Sequence, residues 1–332
     1  LNGWEHDIIA KLADFCRERK DACFRSQSVP QAGVLHLADH YYTCNDPLYN
    51  YGKAVQPVEG ALNALLETHR STDILLQESM GRDLSGYRLL VVPEQTRLNP
   101  VVKQALDDYV SNGGRLLLSG THLSRECPEL VGARPRGEPA AGQTALESEG
   151  EAIMLGGDWQ PVEPLDGTRC VQCRLAGPDP EKDRTEDVVV TARRHGDGQV
   201  LAAHGPLFRN YFATHFPGIR RLVDDLVKEL DVPWDLDVQA SPRLEVVLRR
   251  KDGDTMINLL NRGAGEMLYP QRMIVNDLPP VHDVGLKLRR TKRPRHVSLE
   301  PDGQALEWTM DGEWLHIRVP SVEIHDIVRI AE

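Results

Sequence analysis

Polar and aromatic side chains that suit ligand contacts follow three apolar runs typical of buried strands. In an open α/β sheet, ligands bind beyond the carboxyl ends of the strands. The residues at these positions are His40, Tyr41 and Tyr42 after the run 32–37, Glu94 and Gln95 after Val92-Pro93, and Thr121 and His122 after Ser119-Gly120. The sequence therefore predicts that these seven residues gather at one edge of a sheet.

The tyrosines indicate which ligand these loops would suit. Aromatic rings pack well against the apolar faces of sugars, and Tyr41, Tyr42, Tyr49 and Tyr51 lie in one short stretch. One hypothesis is that the loops contact a saccharide. The alternative is that the tyrosines pack against another domain of the same protein.

The same strand ends lack a recognisable catalytic nucleophile. The turn after Leu118 reads Ser119-Gly-Thr-His122; it contains no Cys, and Cys127 lies too far along the chain to occupy it. Neither Ser119 nor Thr121 sits in the Gly-x-Ser-x-Gly arrangement that exposes a nucleophilic serine. An independent hydrolase or amidotransferase-like enzyme that uses Ser119, Thr121 or His122 stays open as an alternative.

Other kinds of site are disfavoured by spacing. His204 and His215 lack the spacing of a Ser-His-Asp triad, and Cys170-Val-Gln-Cys173 has no second ligand pair for a structural zinc ion. Gly113-Gly114 and Gly196-Asp-Gly198 do not join a strand to a following helix as phosphate-binding loops do. The sequence therefore predicts no metal and no cofactor.

Composition limits the partners. The formal net charge is -11 over 332 residues, which disfavours nucleic acid because phosphate binding needs clustered Lys and Arg. The basic runs 243–251 and 287–295 alternate with apolar residues, as on the solvent-exposed faces of strands.

No apolar run is long enough to predict a membrane span. Six scattered cysteines predict free thiols and a cytoplasmic location.

The elements that must position the candidate residues form an α/β pattern. The clearest unit is the strand 87–93, a helix capped by Asn99 and begun by Pro100, a stop at Gly113-Gly114, and the strand 115–119. Strands that alternate with helices predict a doubly wound, mainly parallel sheet. The strand order and the helix-Gly-Gly-strand join resemble the class I glutamine amidotransferase-like (flavodoxin-like) fold. Residues 128–150 are rich in Gly, Pro, Ala and Glu and predict a mobile loop or excursion rather than a packed element.

Later segments predict a change of architecture. Residues 219–230 form the strongest amphipathic helix, and Val232-Pro233 ends it. Short alternating strands with three Asp-Gly turns follow, which predicts an antiparallel β-sandwich. The predicted organisation is a terminal helix in 1–28, an α/β domain in 29–233 and the sandwich in 234–332.

Three groups of segments resemble multidomain glycoside hydrolases of the kind that includes trimer-forming bacterial β-galactosidases and fucosidase-like enzymes. Residues 86–94 with 105–118 resemble their class I glutamine amidotransferase-like trimerisation domain. Residues 196–201, followed by the helix 219–230, resemble the closing strand and helix of that domain. Residues 319–328 resemble the last strands of their C-terminal β-domain.

This resemblance implies a division of labour. In such enzymes the catalytic acid and nucleophile belong to a (β/α)₈ barrel of about 250 residues, so no catalytic residue is carried over to this chain. The helix near the start would then be the last helix of that barrel. We expect a non-catalytic accessory and oligomerisation region, partnered by the barrel of the same polypeptide and by further copies of itself. The alternatives are a saccharide-binding module and the independent enzyme described above.

Overall fold

The protein is described by a computed structural model, which covers residues 3–44, 54–263, 266–268, 272–274 and 277–332. The chain forms two compact units. The α/β unit consists of Gln31–Thr68 and Thr72–Pro233, and the β unit consists of Leu1–Pro30, His69–Ser71 and Trp234–Glu332. No helix within the described ranges is long and apolar enough to cross a membrane.

Eight α-helices and one 3₁₀ turn, Gln77–Gly81, occur among the described residues. The helices are α1 (Gly3–Cys23), α2 (Ala38–Cys44), α3 (Gln56–Glu67), α4 (Pro100–Ser111), α5 (Leu123–Glu126), α6 (Pro128–Val131), α7 (Leu207–Thr214) and α8 (Pro217–Lys228).

The strands of the described residues form four sheets. In chain order they are β1 (Gln27–Ser28), β2 (Ala32–His36), β3 (Thr72–Leu76), β4 (Leu89–Pro93), β5 (Arg115–Ser119), β6 (Ala133–Pro135), β7 (Gln143–Ser148), β8 (Glu151–Gly156), β9 (Val162–Pro164), β10 (Thr168–Leu175), β11 (Arg184–His195), β12 (Gly198–Ala203), β13 (Leu236–Gln239), β14 (Leu244–Lys251), β15 (Asp254–Asn261), β16 (Glu266–Leu268), β17 (Arg272–Ile274), β18 (Val281–Arg289), β19 (His296–Glu300), β20 (Gln304–Ala305), β21 (Glu307–Asp311), β22 (Trp314–Val322) and β23 (His325–Ala331).

The α/β unit is built on one large mixed sheet. Its main strand order is β3-β2-β4-β5-β12-β11-β10-β7-β8, with β6 and β9 paired alongside. The first five strands of this order are parallel, and the others pair antiparallel. The prediction of a mainly parallel sheet therefore holds for one half, because the hairpin at Gly196-Asp197 returns β11 into β12 and antiparallel strands continue the sheet beyond it.

The predicted strand-helix-strand unit is confirmed as β4, α4 and β5. The Asn99 side chain caps α4 by accepting the Val102 backbone N–H at 3.0 Å. Gly113 adopts a φ of +99°, a left-handed conformation that suits glycine at the end of a helix. The buried face of α4 carries the predicted stripe of Val102, Leu106, Tyr109 and Val110.

Two local predictions in the α/β unit were wrong. Residues 128–150 are not a mobile loop, since α6, β6 and β7 lie there and bury Leu130, Val131 and Leu146. His40, Tyr41 and Tyr42 lie in α2 rather than in a loop. The Tyr41 backbone N–H donates to the Leu37 carbonyl at 3.0 Å, so the chain turns into a helix directly after β2.

The β unit contains the predicted antiparallel sandwich. One sheet has the order β1-β14-β15-β23-β19-β20 and the other β13-β18-β22-β21, and one apolar core includes residues of both. The Asp252-Gly253 turn has positive φ at both residues and joins β14 to β15, as its sequence predicts. The strands β13, β18 and β23 complete the sheets beyond those that the alternation pattern picked out.

Candidate functional site

A crevice of about 710 Å³ opens at the carboxyl ends of the parallel strands. Four of the seven predicted residues line it: His40 from α2, Glu94 after β4, and Thr121 and His122 after β5. We call this the strand-end crevice. The strand order places β4 between β2 and β5, which explains why these four residues meet at one edge although they are distant in sequence.

Glu94 binds the start of a helix. Its carboxylate accepts the backbone N–H of Phe208 at 2.9 Å and of Arg209 at 3.0 Å, within the first turn of α7. It also accepts the Ser119 hydroxyl. Burial raises the pKa of Glu94 to about 7, even though these donors and the Arg209 charge favour the carboxylate. Its oxygens are therefore engaged in holding α7 to the strand end.

His40 is buried and held by the loop after β4. Its Nδ1 accepts the Thr96 backbone N–H at 3.0 Å, so that nitrogen carries no proton and the ring is neutral. Burial lowers the pKa of His40, and the nearby His36 and Arg97 lower it further. Gln95 is fully buried, and its side-chain oxygen accepts the Leu37 N–H at 3.1 Å. These hydrogen bonds tie the loop after β4 to α2 and to the end of β2.

His122 and His204 are the most strongly perturbed histidines near this edge. Burial lowers the pKa of His122 to about 4, and the Nε2 atom is buried without a partner in the described part of the chain. Burial and the neighbouring His122 lower the pKa of His204 to about 3, and its Nε2 lies 3.0 Å from the Thr191 hydroxyl. His204 is wholly buried, so it cannot reach a substrate.

The turn after β5 leaves no accessible serine. Ser119 is fully buried, and its hydroxyl lies 2.8 Å from the Gly205 carbonyl. Gly120 has a φ of +141°, and a Cβ there would lie 2.5 Å from the His122 ring. Cys127 is buried, with a thiol that donates to the Leu123 carbonyl, and burial raises its pKa to about 12. Of the three hydroxyl or thiol candidates, only Thr121 lines the crevice.

The two predicted tyrosines in α2 do not line the strand-end crevice. Tyr41 packs edge-on against His36, with ring centroids 5.2 Å apart, and Tyr42 is 78% exposed. Tyr42 borders an adjoining depression that also contacts Arg97 and Asn99. Tyr49 and Tyr51 lie outside the described residues.

Sequence reasoning missed several residues that line the crevice, among them Cys44, Asp158, Arg209 and Asn210. Asp158 follows β8, in the antiparallel half of the sheet, which the rule for parallel strand ends does not cover. Arg209 and Asn210 belong to α7, which the sequence did not reveal. The Cys44 thiol lies 3.6 Å from His40 Nδ1, but that nitrogen already accepts the Thr96 N–H, so it is poorly placed to act as a base.

Two further observations bear on other kinds of site. No group of three or more His, Cys, Asp or Glu side chains that could hold a metal ion occurs among the residues the structure describes. A second cavity of the α/β unit, about 780 Å³, lies near the amino ends of β4 and β5 and is lined by Arg82, Tyr87 and Tyr109 among others. None of the seven predicted residues borders it.

Comparison with solved structures finds glycoside hydrolases. An α-L-fucosidase isoenzyme 2 from Paenibacillus thiaminolyticus matches with a TM-score of 0.82 and 17% identity, covering 100% of this chain and 53% of that one. A GH42 β-galactosidase from G. stearothermophilus matches with a TM-score of 0.65 and 14% identity, over 98% and 44%. A β-galactosidase from Bacillus circulans sp. alkalophilus gives 0.63 and 15%, over 97% and 44%.

These likenesses show a shared fold, and the chain spans about half the length of each of these structures. No protein-family model and no curated protein matches the sequence.

Proposed function

We propose that this chain is a non-catalytic accessory and oligomerisation region of a glycoside hydrolase, with its strand-end crevice bordering the sugar cleft. The observation that carries the proposal is the match over the whole chain, at a TM-score of 0.82, to about half of a fucosidase. A region that corresponds to half of a larger enzyme leaves the other half to supply the bond-breaking groups. The parallel strand order β3-β2-β4-β5-β12 supports the finer proposal of an amidotransferase-like arrangement for this domain.

The chemistry of the crevice supports an accessory role. Glu94 is committed to the N–H groups of α7, and His40 to the Thr96 backbone. A pair of free carboxylates about 5 to 9.5 Å apart is what glycoside cleavage requires, and the engagement of Glu94 argues against such a pair. Thr121, Asp158 and Arg209 line the same space and offer hydrogen bonds that suit sugar hydroxyls.

The helix α1 supplies a surface for the proposed catalytic partner. Its side chains Trp4, Ile8, Ile9 and Leu12 are each more than half exposed, whereas Ala22 near its end packs against Met256 and Ile327. An apolar stripe of this kind marks an interaction surface. We propose that it packs against the catalytic barrel of the same polypeptide, the occupant that the resemblance to glycoside hydrolases implies, and that the chain also assembles with copies of itself.

A hydrolysis assay tests the central part of this proposal. Purified chain of 332 residues is incubated with a panel of aryl α-fucosides and β-galactosides, beside the variant Glu94→Gln. No turnover is expected from either protein. Hydrolysis by the native chain that the variant loses would show that the crevice is itself catalytic and would overturn the proposal.

A saccharide-binding module is the second candidate, because the crevice combines a volume of about 710 Å³ with several polar groups. Titration calorimetry with fuco- and galacto-oligosaccharides tests it. Heat that Asp158→Ala abolishes would favour binding at this site, and the absence of heat at about millimolar ligand would exclude all but very weak binding.

A further inference from the structure

Two cysteines of β10 face each other although their spacing predicts otherwise. Cys170 and Cys173 are three residues apart, and in a regular strand such side chains point to opposite faces of the sheet. Here the register of β10 against β11 shifts between Cys170 and Gln172 and again between Gln172 and Cys173. These irregularities bring the two sulfur atoms to 3.6 Å from each other.

Gln172, one of the two residues between the cysteines, holds this arrangement in place. The side-chain oxygen of Gln172 accepts the Glu147 backbone N–H at 2.9 Å, and its amide nitrogen donates to the Glu147 carbonyl at 2.7 Å. The Gln172 amide thus makes the two hydrogen bonds to the Glu147 backbone that a neighbouring strand would otherwise make to β7. Because both of its hydrogen-bonding ends are fixed, the irregular segment has little freedom to separate the sulfurs.

The pair is open to reagents in solution. Cys170 is exposed and Cys173 is partly exposed. Burial and the neighbouring Cys173 thiol raise the pKa of Cys170 to about 11, while Arg184 and Arg169 act in the opposite direction. Little Cys170 thiolate is therefore present at neutral pH, and reaction is expected to be faster in mildly alkaline buffer.

We propose that Cys170 and Cys173 form a redox modification site that closes as an intrachain disulfide. The oxidant is a low-molecular-weight disulfide. One cysteine thiolate attacks it, forming a mixed disulfide and releasing one small thiol; the second cysteine then displaces the other small thiol. The protein loses two protons and two electrons, and the oxidant takes them up to become two thiols. Bond formation needs the sulfurs to move from 3.6 Å to about 2.05 Å.

Closure would lock the irregular part of β10. This strand pairs with β11 from Thr168 to Leu175 and with β7 at Leu175, and the two cysteines lie where its register against β11 shifts. A disulfide across Cys170 and Cys173 would fix these register shifts.

Mass spectrometry tests the proposal on the full chain. The folded protein is equilibrated at about pH 8.5 with mixtures of oxidised and reduced glutathione, alkylated and digested with trypsin. Because Arg169 and Arg174 flank the site, both cysteines fall in the single peptide Cys170–Arg174. We expect this peptide to escape alkylation and to be about two mass units lighter than its reduced form, the loss of two hydrogens.

A comparison of folded and unfolded protein shows whether the fold itself, and not only the short spacing of Cys170 and Cys173 in sequence, favours the disulfide. The folded chain should form the bond at a ratio of oxidised to reduced glutathione about tenfold lower than the chain in urea, since the fold raises the effective concentration of the two thiols. The variant Cys173→Ser should stop at a single mixed disulfide on Cys170. Equal ratios in the two states, two glutathione adducts on the folded peptide, or a bond between two chains would each overturn the proposal.

Discussion

The Glu94 carboxylate accepts the backbone N–H of Phe208 at 2.9 Å, so a side chain at the end of β4 caps the helix α7. Pro206, the residue at the N-cap position, offers no side-chain cap of its own. The cap therefore comes from a residue 114 positions earlier in the chain. This contact couples the stability of α7 to the shape of the strand-end crevice, which α7 helps to line.

Removing the Glu94 cap should destabilise the protein in a graded way. Glu94→Ala leaves the Phe208 and Arg209 N–H groups without their acceptor and should lower the free energy of unfolding by about 2 kcal/mol. Glu94→Gln retains one acceptor oxygen and should cost about half as much. Urea unfolding near pH 6, below the folded pKa of Glu94, measures both. The exposed Glu126→Ala is the control, and equal losses for the Gln and Ala variants would contradict the capping role.

Acid should destabilise the protein through its buried histidines. Burial lowers the pKa of the following side chains: His36, His40, His69, His122, His204 and His325. A histidine whose pKa is lower in the folded state binds fewer protons there, so stability is lost as pH falls from about 6.5 towards its folded pKa. For His204 this window reaches about pH 3.

Glu94 affects the pH dependence of stability in the opposite direction from the buried histidines. Because its folded pKa of about 7 lies above its ordinary value of 4.5, its contribution is present at low pH and is lost as pH rises through 7.

His204→Gln tests the contribution of a buried histidine. The substitution should reduce the slope of unfolding free energy against pH between pH 6.5 and 4.5 by up to about 1.4 kcal/mol per unit. An unchanged slope would show that His204 is not held neutral by the fold.

The helices α3 and α7 pack so closely at Gly60 that no side chain should fit there. A Cβ on Gly60 of α3 would lie 2.0 Å from the Phe208 carbonyl oxygen in α7. Gly60→Ala should force the two helices apart and cost about 3 kcal/mol of unfolding free energy. Gly3→Ala is the matched control, because Gly3 is also helical and a Cβ on it would meet nothing within 4 Å. Similar unfolding midpoints for the two variants would contradict the packing of α3 on α7.

The two sides of α1 should respond differently to charge. Leu12 is 62% exposed, so Leu12→Glu should change the unfolding free energy of this chain by less than about 0.5 kcal/mol. Ala22 is buried against Met256 and Ile327, so Ala22→Glu places an unpaired charge in an apolar contact and should cost about 3 kcal/mol. Thermal or urea unfolding compares them. A large loss from Leu12→Glu would mean that the exposed stripe is already covered within this chain.

Elements with local signals were predictable from sequence. The helix α4 carries its own cap at Asn99, its starting Pro100 and its stop at Gly113, and all three act as expected. The helix α7 has no local cap because Glu94 supplies it from a distant strand, which explains why the sequence did not reveal it. Residues 128–150 were misread for a related reason: their short strands gain partners from β8, β9 and β10, which local composition does not report.

The candidate site was likewise predictable where the signal was local and not where it depends on distant contacts. The rule for strand ends selected His40, Glu94, Thr121 and His122, which line the crevice. It could not show that Glu94 is committed to a helix, or that Arg209 and Asp158 complete the wall. The cysteine pair shows this limit most clearly, since its geometry depends on a register set by β11 and on the hydrogen bonds between Gln172 and Glu147.

The coding sequence upstream of the codon for Leu1 tests the central claim most directly. If this chain is the accessory part of a glycoside hydrolase, the reading frame should continue upstream through a segment large enough for a catalytic barrel, about 250 codons or more. A start codon immediately before Leu1, with no such segment, would contradict the account.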